Sequence, residues 1–336
     1  MRQYLLVVLS FVGLLALIGC SKVTHSKRHA EFQQWIYAND KIKVLSTTAM
    51  INDLVQKVGG DRVDTFTLIQ GELDPHSYQL VKGDDEKLMF AHLIFYNGLG
   101  LEHGPSLHYH LAENPKAYAL GDWVEKQDPS AIIYVNGQKD PHLWMDISLW
   151  LKTIPLIVER LSEQDPLHAD LFRKNANEFQ KEMLKVHEEV KEMLGQIPAE
   201  KRFMVTSHDA FNYFTRAYLA EGNERETGEW SKRFAAPEGL APESQLSVTD
   251  IKMIINYLKK NHISVVFPES NVSRDSIRKI VQAGQEEGLH VEMACCPLYG
   301  DAMGKPGSDG DSYLKMIKYN AKILTRYMNE NISFDK

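Results

Sequence analysis

The chain has 336 residues, of which 43% are hydrophobic and 25% charged, and its net charge at pH 7 is −7. That length suits two lobes of ordinary domain size, each with its own core, rather than one. The acidic balance argues against nucleic acid and anionic membrane as partners, because binding to phosphate is driven largely by Lys and Arg.

At the N-terminus Arg2 precedes a continuous apolar run from Leu5 to Ile18. The run is short for a transmembrane helix and right for a secretory signal, so residues 1–19 read as a leader that is removed. It ends in LIGC, small residues and then Cys20, which resembles the lipobox of bacterial lipoproteins, where the cysteine is acylated and becomes the mature N-terminus. Residues 20–40 are polar and without clear period, and read as a tether, with order expected from Lys41.

From there the pattern alternates strand and helix. KIKVLST is a β-rich run, TAMINDLVQKVGG has helical spacing with a glycine stop, and RVDTFTLI is a second strand. A helix through GDDEKLMFAH, capped by Gly83 or Asp84, and the strand LIFYNG continue the rhythm. After Asp146 the spacing turns helical over 146–164 and again over 166–197. The second stretch has few breakers and would span about 45 Å, longer than one small domain needs. Beyond Pro198 the βα rhythm resumes with RFMVTS, DAFNYFTRAYLA, SVTDIKMIINYLKKN, HISVVFPE, SRDSIRKIVQAGQEEG and HVEMACCP, and a last helix starts near Asp311. The reading is therefore α/β: an N-terminal lobe of parallel-sheet βα units over 41–163, one long rigid helix over 164–197, and a second such lobe over 198–336. Cys295 and Cys296 are too close together to give a disulfide framework and are expected as buried strand residues, with a strained vicinal disulfide or a soft-metal pair as alternatives.

Four side chains share a placement in loops after a strand or before a helix: His76 in LDPHSY, His142 in KDPHLWMD, His208 in VTSHDAFNYF and Asp301 in LYGDAMG. In open parallel sheets the strand ends gather at one edge, where ligands bind, so the site is expected between the lobes. Asp-Pro-His occurs twice, at 74–76 and 140–142. Proline fixes φ, removes a donor and biases the preceding aspartate to extended backbone, so each histidine leaves a stiff loop at a set angle. Metal ligation rewards that stiffness, since a neutral imidazole presents one nitrogen while the other donates to a fixed acceptor. EHGPSLHYH, with His103, His108 and His110, suits a helix better than an accessory metal tract. His92, His168, His187, His262 and His290 read as structural.

These segments, together with FYNGLGLE, FPESNVS and GDSYLKMIKYN, resemble the cluster A-I metal-binding lipoproteins of ABC importers over residues 41–330, and within them the TroA and YtgA type with histidine in the third ligand position. The resemblance implies one divalent transition-metal ion per chain, Zn, Mn or Fe, held by His76, His142, His208 and Asp301. It also gives Glu269 a place behind the ligands, accepting a histidine N–H, with Asp74, Asp140 and Asp209 as similar candidates. It implies an extracytoplasmic, lipid-anchored monomer that hands its ion to a permease with an ATPase, and no enzyme activity. The long His- and acid-rich loop of zinc-specialised relatives is absent between His76 and His142, which weakens a purely zinc reading.

Rival classes are a periplasmic zinc metalloenzyme, which needs an open coordination position, and a siderophore-type binder, which needs a roomy aromatic or basic cleft. The chain carries no His-Glu-x-x-His, Gly-x-Ser-x-Gly or phosphate-loop signature. An adhesin role has no direct support in the residues. Three imidazoles disfavour calcium, which seeks oxygen. For Cys20, intact mass spectrometry of protein from native membranes is expected to show a diacyl or triacyl adduct on an N-terminal cysteine; a soluble product cut elsewhere would contradict the lipobox.

Overall fold

The computed structural model describes residues 32–37, 40–242 and 246–329. The leader and Cys20 lie outside the described residues. Residues 32–37, expected as tether, form a short helix (α1). Phe32, Trp35 and Ile36 pack beneath the first sheet, and Trp35 Nε1 donates to the Asp64 carbonyl at 2.9 Å. Their i, i+3, i+4 spacing is the apolar stripe of a docked helix.

The N-terminal lobe is built on a four-stranded parallel sheet in the order β2-β1-β3-β4, made of β1 (Ile42–Ser46), β2 (Val63–Thr67), β3 (Leu93–Tyr96) and β4 (Ala117–Ala119). Helices α2 (Ala49–Gly59), α3 (Asp84–Phe90), α4 (Pro105–Ala112) and α5 (Leu120–Gln127) complete the βα units. In α2 the buried side chains Met50, Ile51, Leu54, Val55 and Val58 make one stripe, and the helix stops at Gly60, whose φ is 52°. The hairpin β5 (Tyr134–Val135) and β6 (Gln138–Lys139) turns at Asn136-Gly137, both with positive φ, and feeds Asp140 into the site. The helical pattern over 146–164 divides into α6 (Ile147–Trp150), a tight turn at Leu151–Thr153 and α7 (Ile154–Gln164). Pro155 sits in the first turn of α7, where its missing N–H costs nothing.

The long helix is α8 (Ala169–Gly195), 27 residues and about 40 Å. Its buried face, Phe172, Ala176, Phe179, Met183, Val186, His187, Val190 and Leu194, repeats every three to four residues. It packs on α2 and α7 of the first lobe and on α13 (Tyr313–Asn329) at the chain's end. Between them the second lobe runs through β7 (Met204–Val205), α9 (Asn212–Phe214) with a π-helical turn at Thr215–Leu219, α10 (Glu224–Thr227), β8 (Phe234–Ala235), α11 (Val248–Lys260), β9 (Val265–Val266), α12 (Asp275–Glu286) and β10 (Glu292–Met293).

Regular strand is shorter in this lobe than the apolar runs predict. Two parallel pairs, β7 with β8 and β9 with β10, are placed side by side by the Phe267 N–H bond to the Val205 carbonyl at 2.8 Å. Pro268 and Pro297, neither with an N–H to give, interrupt the β9–β10 ladder, which resumes as a bridge between Glu269 and Leu298. Cys295 and Cys296 fall beyond β10; Cys295 is exposed and Cys296 half-buried, contrary to the expectation of buried strand residues.

The lobes also share a core instead of keeping one each. A single apolar cluster runs from Val44 and Leu54 through Trp144, Trp150 and Phe172 to Phe214, Tyr213 and Tyr313, with smaller clusters under α1 and beneath α11 and α12. A continuous core resists wide hinge opening, so small-angle scattering of metal-free and metal-treated protein is expected to give nearly the same radius of gyration. A large contraction on metal addition would contradict a rigid frame.

Candidate metal centre

Both Asp-Pro-His segments build the same turn. Asp74 Oδ1 accepts the His76 N–H at 2.9 Å, and Asp140 Oδ1 accepts the His142 N–H at 2.9 Å. They differ in what else the aspartate does. Asp74 Oδ2 takes the Ser77 hydroxyl at 2.6 Å, whereas Asp140 Oδ1 also faces His142 Nδ1 at 2.7 Å. The loop holding His142 is anchored by Asn97 Nδ2, which donates to the Pro141 carbonyl at 2.9 Å. Asn97 in turn belongs to a tight loop after β3 that wraps the buried Glu102 carboxylate with the Thr47 hydroxyl and the Asn97 and Gly98 N–H groups.

His208 lies in the loop after β7 and Glu269 in the loop after β9. Glu269 Oε1 accepts the His208 N–H at 2.9 Å, and Oε2 lies 2.8 Å from His208 Nδ1. The Glu269–Leu298 bridge sets the loop that carries Asp301. A Cβ at position 300 would lie 2.4 Å from Glu269 Oε2, so any residue but glycine there would displace this carboxylate from beside His208.

The four expected residues converge, all buried, with one donor atom from each within 4.8 Å of the others. His76 Nε2 and His142 Nε2 are 3.2 Å apart. Asp301 Oδ1 is 3.4 Å from His142 Nε2, and Oδ2 is 3.1 Å from His208 Nε2 and 3.7 Å from His76 Nε2. Donors at about 2.0–2.1 Å around a tetrahedral ion stand roughly 3.3–3.4 Å apart, so these spacings fit one ion. Asp301 Oδ1, Glu269 Oε2 and both ring nitrogens of His208 are buried without a well-aligned hydrogen-bond partner among the described residues, despite the close approaches. Asn271 Nδ2 reaches Asp301 Oδ2 at 3.2 Å.

Tautomers follow from the carboxylates behind the rings. An Nδ1 facing Asp140 or Glu269 carries a proton, so in the neutral rings of His142 and His208 it is Nε2 that turns a lone pair inward. Burial holds His76 well below the ordinary histidine pKa, the Asp301 charge opposing it. At His208 burial also acts downward, but Glu269 and Asp301 outweigh it and hold the ring well above the ordinary value. Burial works against ionising Asp301, yet the imidazoles around it, His208 foremost, keep its carboxyl well below the usual range. Three buried carboxylates around three imidazoles make a negative interior that a dication largely offsets.

Of the four carboxylates expected behind the ligands, Glu269 and Asp140 reach ring nitrogens. Asp74 reaches only backbone at His76. Asp209 touches no ligand side chain: its Oδ1 takes Asn212 Nδ2 at 2.8 Å, and burial with the Asp140 charge pushes its carboxyl up to about 6. Sequence reading missed Asn212, which also donates to Asp140 Oδ2 at 3.0 Å, and Trp144, whose Nε1 donates across the lobes to the Gly300 carbonyl at 3.0 Å. His108 and His110 sit on α4 and His103 just before it, as the helical reading expects. The His103 ring lies 5.7 Å from that of His76, beside a cleft of about 730 Å³.

Residues 44–327 match the family described as zinc-uptake complex component A, periplasmic. The chain belongs to this family. Membership bears out the resemblance to the cluster A-I metal-binding proteins. The metal-binding protein YtgA of Chlamydia trachomatis serovar D is 37% identical over 331 residues, covering 98% of each chain. The Fe(III)-bound YtgA structure from C. trachomatis superposes with a TM-score of 0.81 at 38% identity, covering 86% of this chain and 98% of that one. The manganese-binding lipoprotein MntA of Bacillus subtilis is 31% identical over 329 residues, 97% of this chain and 99% of its own. The periplasmic zinc-binding protein TroA of Treponema pallidum has a TM-score of 0.77 at 27% identity, covering 86% of this chain and all of its own.

Substituting the carboxylate behind a ring is expected to weaken metal binding without removing a donor. Asp140→Asn should cost about 10–100-fold in affinity by competition titration, and Asp209→Asn much less. Equal effects would refute the division between them.

Proposed function

We propose that this chain is the extracytoplasmic binding component of an ABC importer, and that its cargo is one divalent transition-metal ion, Zn, Mn or Fe. His76, His142, His208 and Asp301 are the ligands, and Asp140 and Glu269 hold two of the imidazoles in the ligating tautomer. The observation that carries this reading is the convergence of three imidazole nitrogens and one carboxylate in a buried place between the lobes.

The donor set is compatible with more than one ion. With Asp301 contributing one oxygen the shell is a four-donor tetrahedron, which suits zinc. Both Asp301 oxygens face imidazole nitrogens, however, so a five-donor shell suited to Mn(II) or Fe(II) needs only a small rotation of the carboxylate. The names of the relatives, which include zinc, manganese and Fe(III), are in keeping with such a set. A shell filled by protein donors leaves no position for a catalytic water, which speaks against the metalloenzyme reading. A narrow centre lined by carboxylate and imidazole speaks against a siderophore. The chain then acts as an exported, lipid-anchored monomer that delivers its ion to a permease and its ATPase.

Mass action supplies the test. An ion that binds only the folded chain stabilises it by about 4 kcal/mol at a thousandfold excess over its Kd. The melting temperature should rise with metal and fall with chelator. The gain should shrink as pH falls, because His208, whose pKa is raised, must give up a proton before it ligates. His142→Ala is expected to shrink the metal-dependent shift, and His110→Ala to leave it intact. Wild-type stoichiometry, affinity and shift in both His142→Ala and His208→Ala would overturn the assignment.

A further inference from the structure

Outside the four-residue centre, Cys295 and Cys296 stand at the start of the loop that leads from β10 to Leu298 and Asp301. Both are free thiols; Cys295 is exposed and Cys296 half-buried. Their sulfurs are 3.0 Å apart. The Tyr327 hydroxyl accepts the Cys295 backbone N–H at 3.1 Å and donates to Cys295 Sγ at 3.1 Å. One phenol thus fixes both ends of this residue. The Arg326 guanidinium lies over the Tyr327 ring, 5.7 Å from its centroid, and adds positive charge beside the thiol.

We propose that Cys295 and Cys296 are a redox-active dithiol that closes to a vicinal disulfide by exchange with an external disulfide. The chemistry divides the roles. Cys295 is the exposed one of the two, and its Sγ accepts the Tyr327 hydroxyl, which favours the thiolate there; the contact between the two sulfurs and this hydrogen bond hold the Cys295 thiol below its ordinary pKa. Exposure and the Tyr327 bond therefore make Cys295 the attacking sulfur and half-buried Cys296 the resolving one. Cys295 loses its proton to solvent and attacks one sulfur of the external disulfide. That S–S bond breaks, and the leaving thiolate departs with the electron pair and is protonated. Cys296, deprotonated in turn, attacks Cys295 Sγ and expels the second thiolate. Two protein thiols are oxidised to one disulfide, and one external disulfide is reduced to two thiols.

Geometry makes the second step fast and the product labile. The resolving sulfur is already in contact, so closure needs only local adjustment of the two residues. Adjacent Cα atoms stand about 3.8 Å apart across a trans peptide, below the roughly 4.4–6.8 Å that disulfides prefer, which places the product among the easily reduced ones. Leu298, held to Glu269 by the bridge, and the Tyr327 contact confine the change to a few residues. An exported chain meets disulfide oxidants, so the reaction has a co-reactant.

The test uses the full-length protein, treated with oxidised glutathione and then with iodoacetamide, and reads the proteolytic peptide that carries both cysteines by mass spectrometry. The expected product lacks two hydrogens, carries no glutathione and no alkyl group, and regains two alkylatable thiols after dithiothreitol. Cys296→Ser should trap a glutathione adduct on Cys295, and Cys295→Ser should react several-fold more slowly at Cys296. A lasting glutathione adduct on the wild-type peptide, a disulfide-linked dimer through it, or two thiols that stay alkylatable after oxidant would each overturn the proposal. Equal rates for the two single variants would overturn the assignment of Cys295 as the attacking sulfur.

Discussion

Three imidazoles and a carboxylate face one another at 3.1–3.7 Å in a buried interior, where each must find a compensating charge or partner. Without an ion that charge is a proton, held on His208 by Glu269 and Asp301; a bound dication would take its place. Much of the surrounding structure can be read as what it takes to hold these donors in place. Asp140 and Glu269 fix ring tautomers, Asp74 and Asp140 stiffen the two Asp-Pro-His turns, and Gly300 leaves room for Glu269 beside His208.

The frame that carries the donors is rigid for a reason of packing. His76 and His142 belong to the first lobe, His208 and Asp301 to the second, so the distances between donors are distances between lobes. Trp144 ties them directly: its indole donates to the Gly300 carbonyl, its own carbonyl accepts the Tyr313 hydroxyl at 2.6 Å, and its ring stands edge-on to His142 at 5.3 Å. Tyr213 adds a bond to the Asp140 carbonyl at 3.0 Å. With α8 packed on both lobes and one core passing between them, a change in the distance between the two pairs of donors would have to disrupt that packing.

What sequence made legible follows from which interactions are local. Strands β1, β2 and β3, the stripe of α2, the long α8 and the two Asp-Pro-His turns are written in spacings of two to four residues, and each forms where it is expected, whereas β4 and the β5–β6 hairpin, three and two residues long per strand, carry too short a pattern to be read. The four candidate ligands were also legible, because a histidine or aspartate in a stiff loop at a strand end stands out from its neighbours. What was not legible is held by contacts far apart in the chain. Asn212 reaches Asp140 over 72 positions and Trp144 reaches Gly300 over 156, and neither leaves a local pattern. The short strands of the second lobe were overestimated because an apolar run measures burial, and burial here comes from the shared core as much as from a ladder. Asp209 misled for the opposite reason: adjacency to His208 in sequence put it near the site, but its carboxylate turns to Asn212. Cys295 and Cys296 sat in an apolar context that ends one residue too soon to bury them.

In the proposed ligand set, Asp301 is the donor whose atom count can change. The imidazoles of His142 and His208 are pinned from behind and can offer one nitrogen each in one direction. Asp301 offers two oxygens, of which Asn271 holds one and the other has no hydrogen-bond partner among the described residues. A rotation of that carboxylate changes the oxygen count from one to two while the nitrogen count stays at three. Because raw affinity of nitrogen donors favours zinc over manganese and ferrous iron, a site that takes the latter must do so through coordination number instead. For the ligand set proposed above, that choice would turn on the torsion of Asp301 and on the hydrogen bond from Asn271.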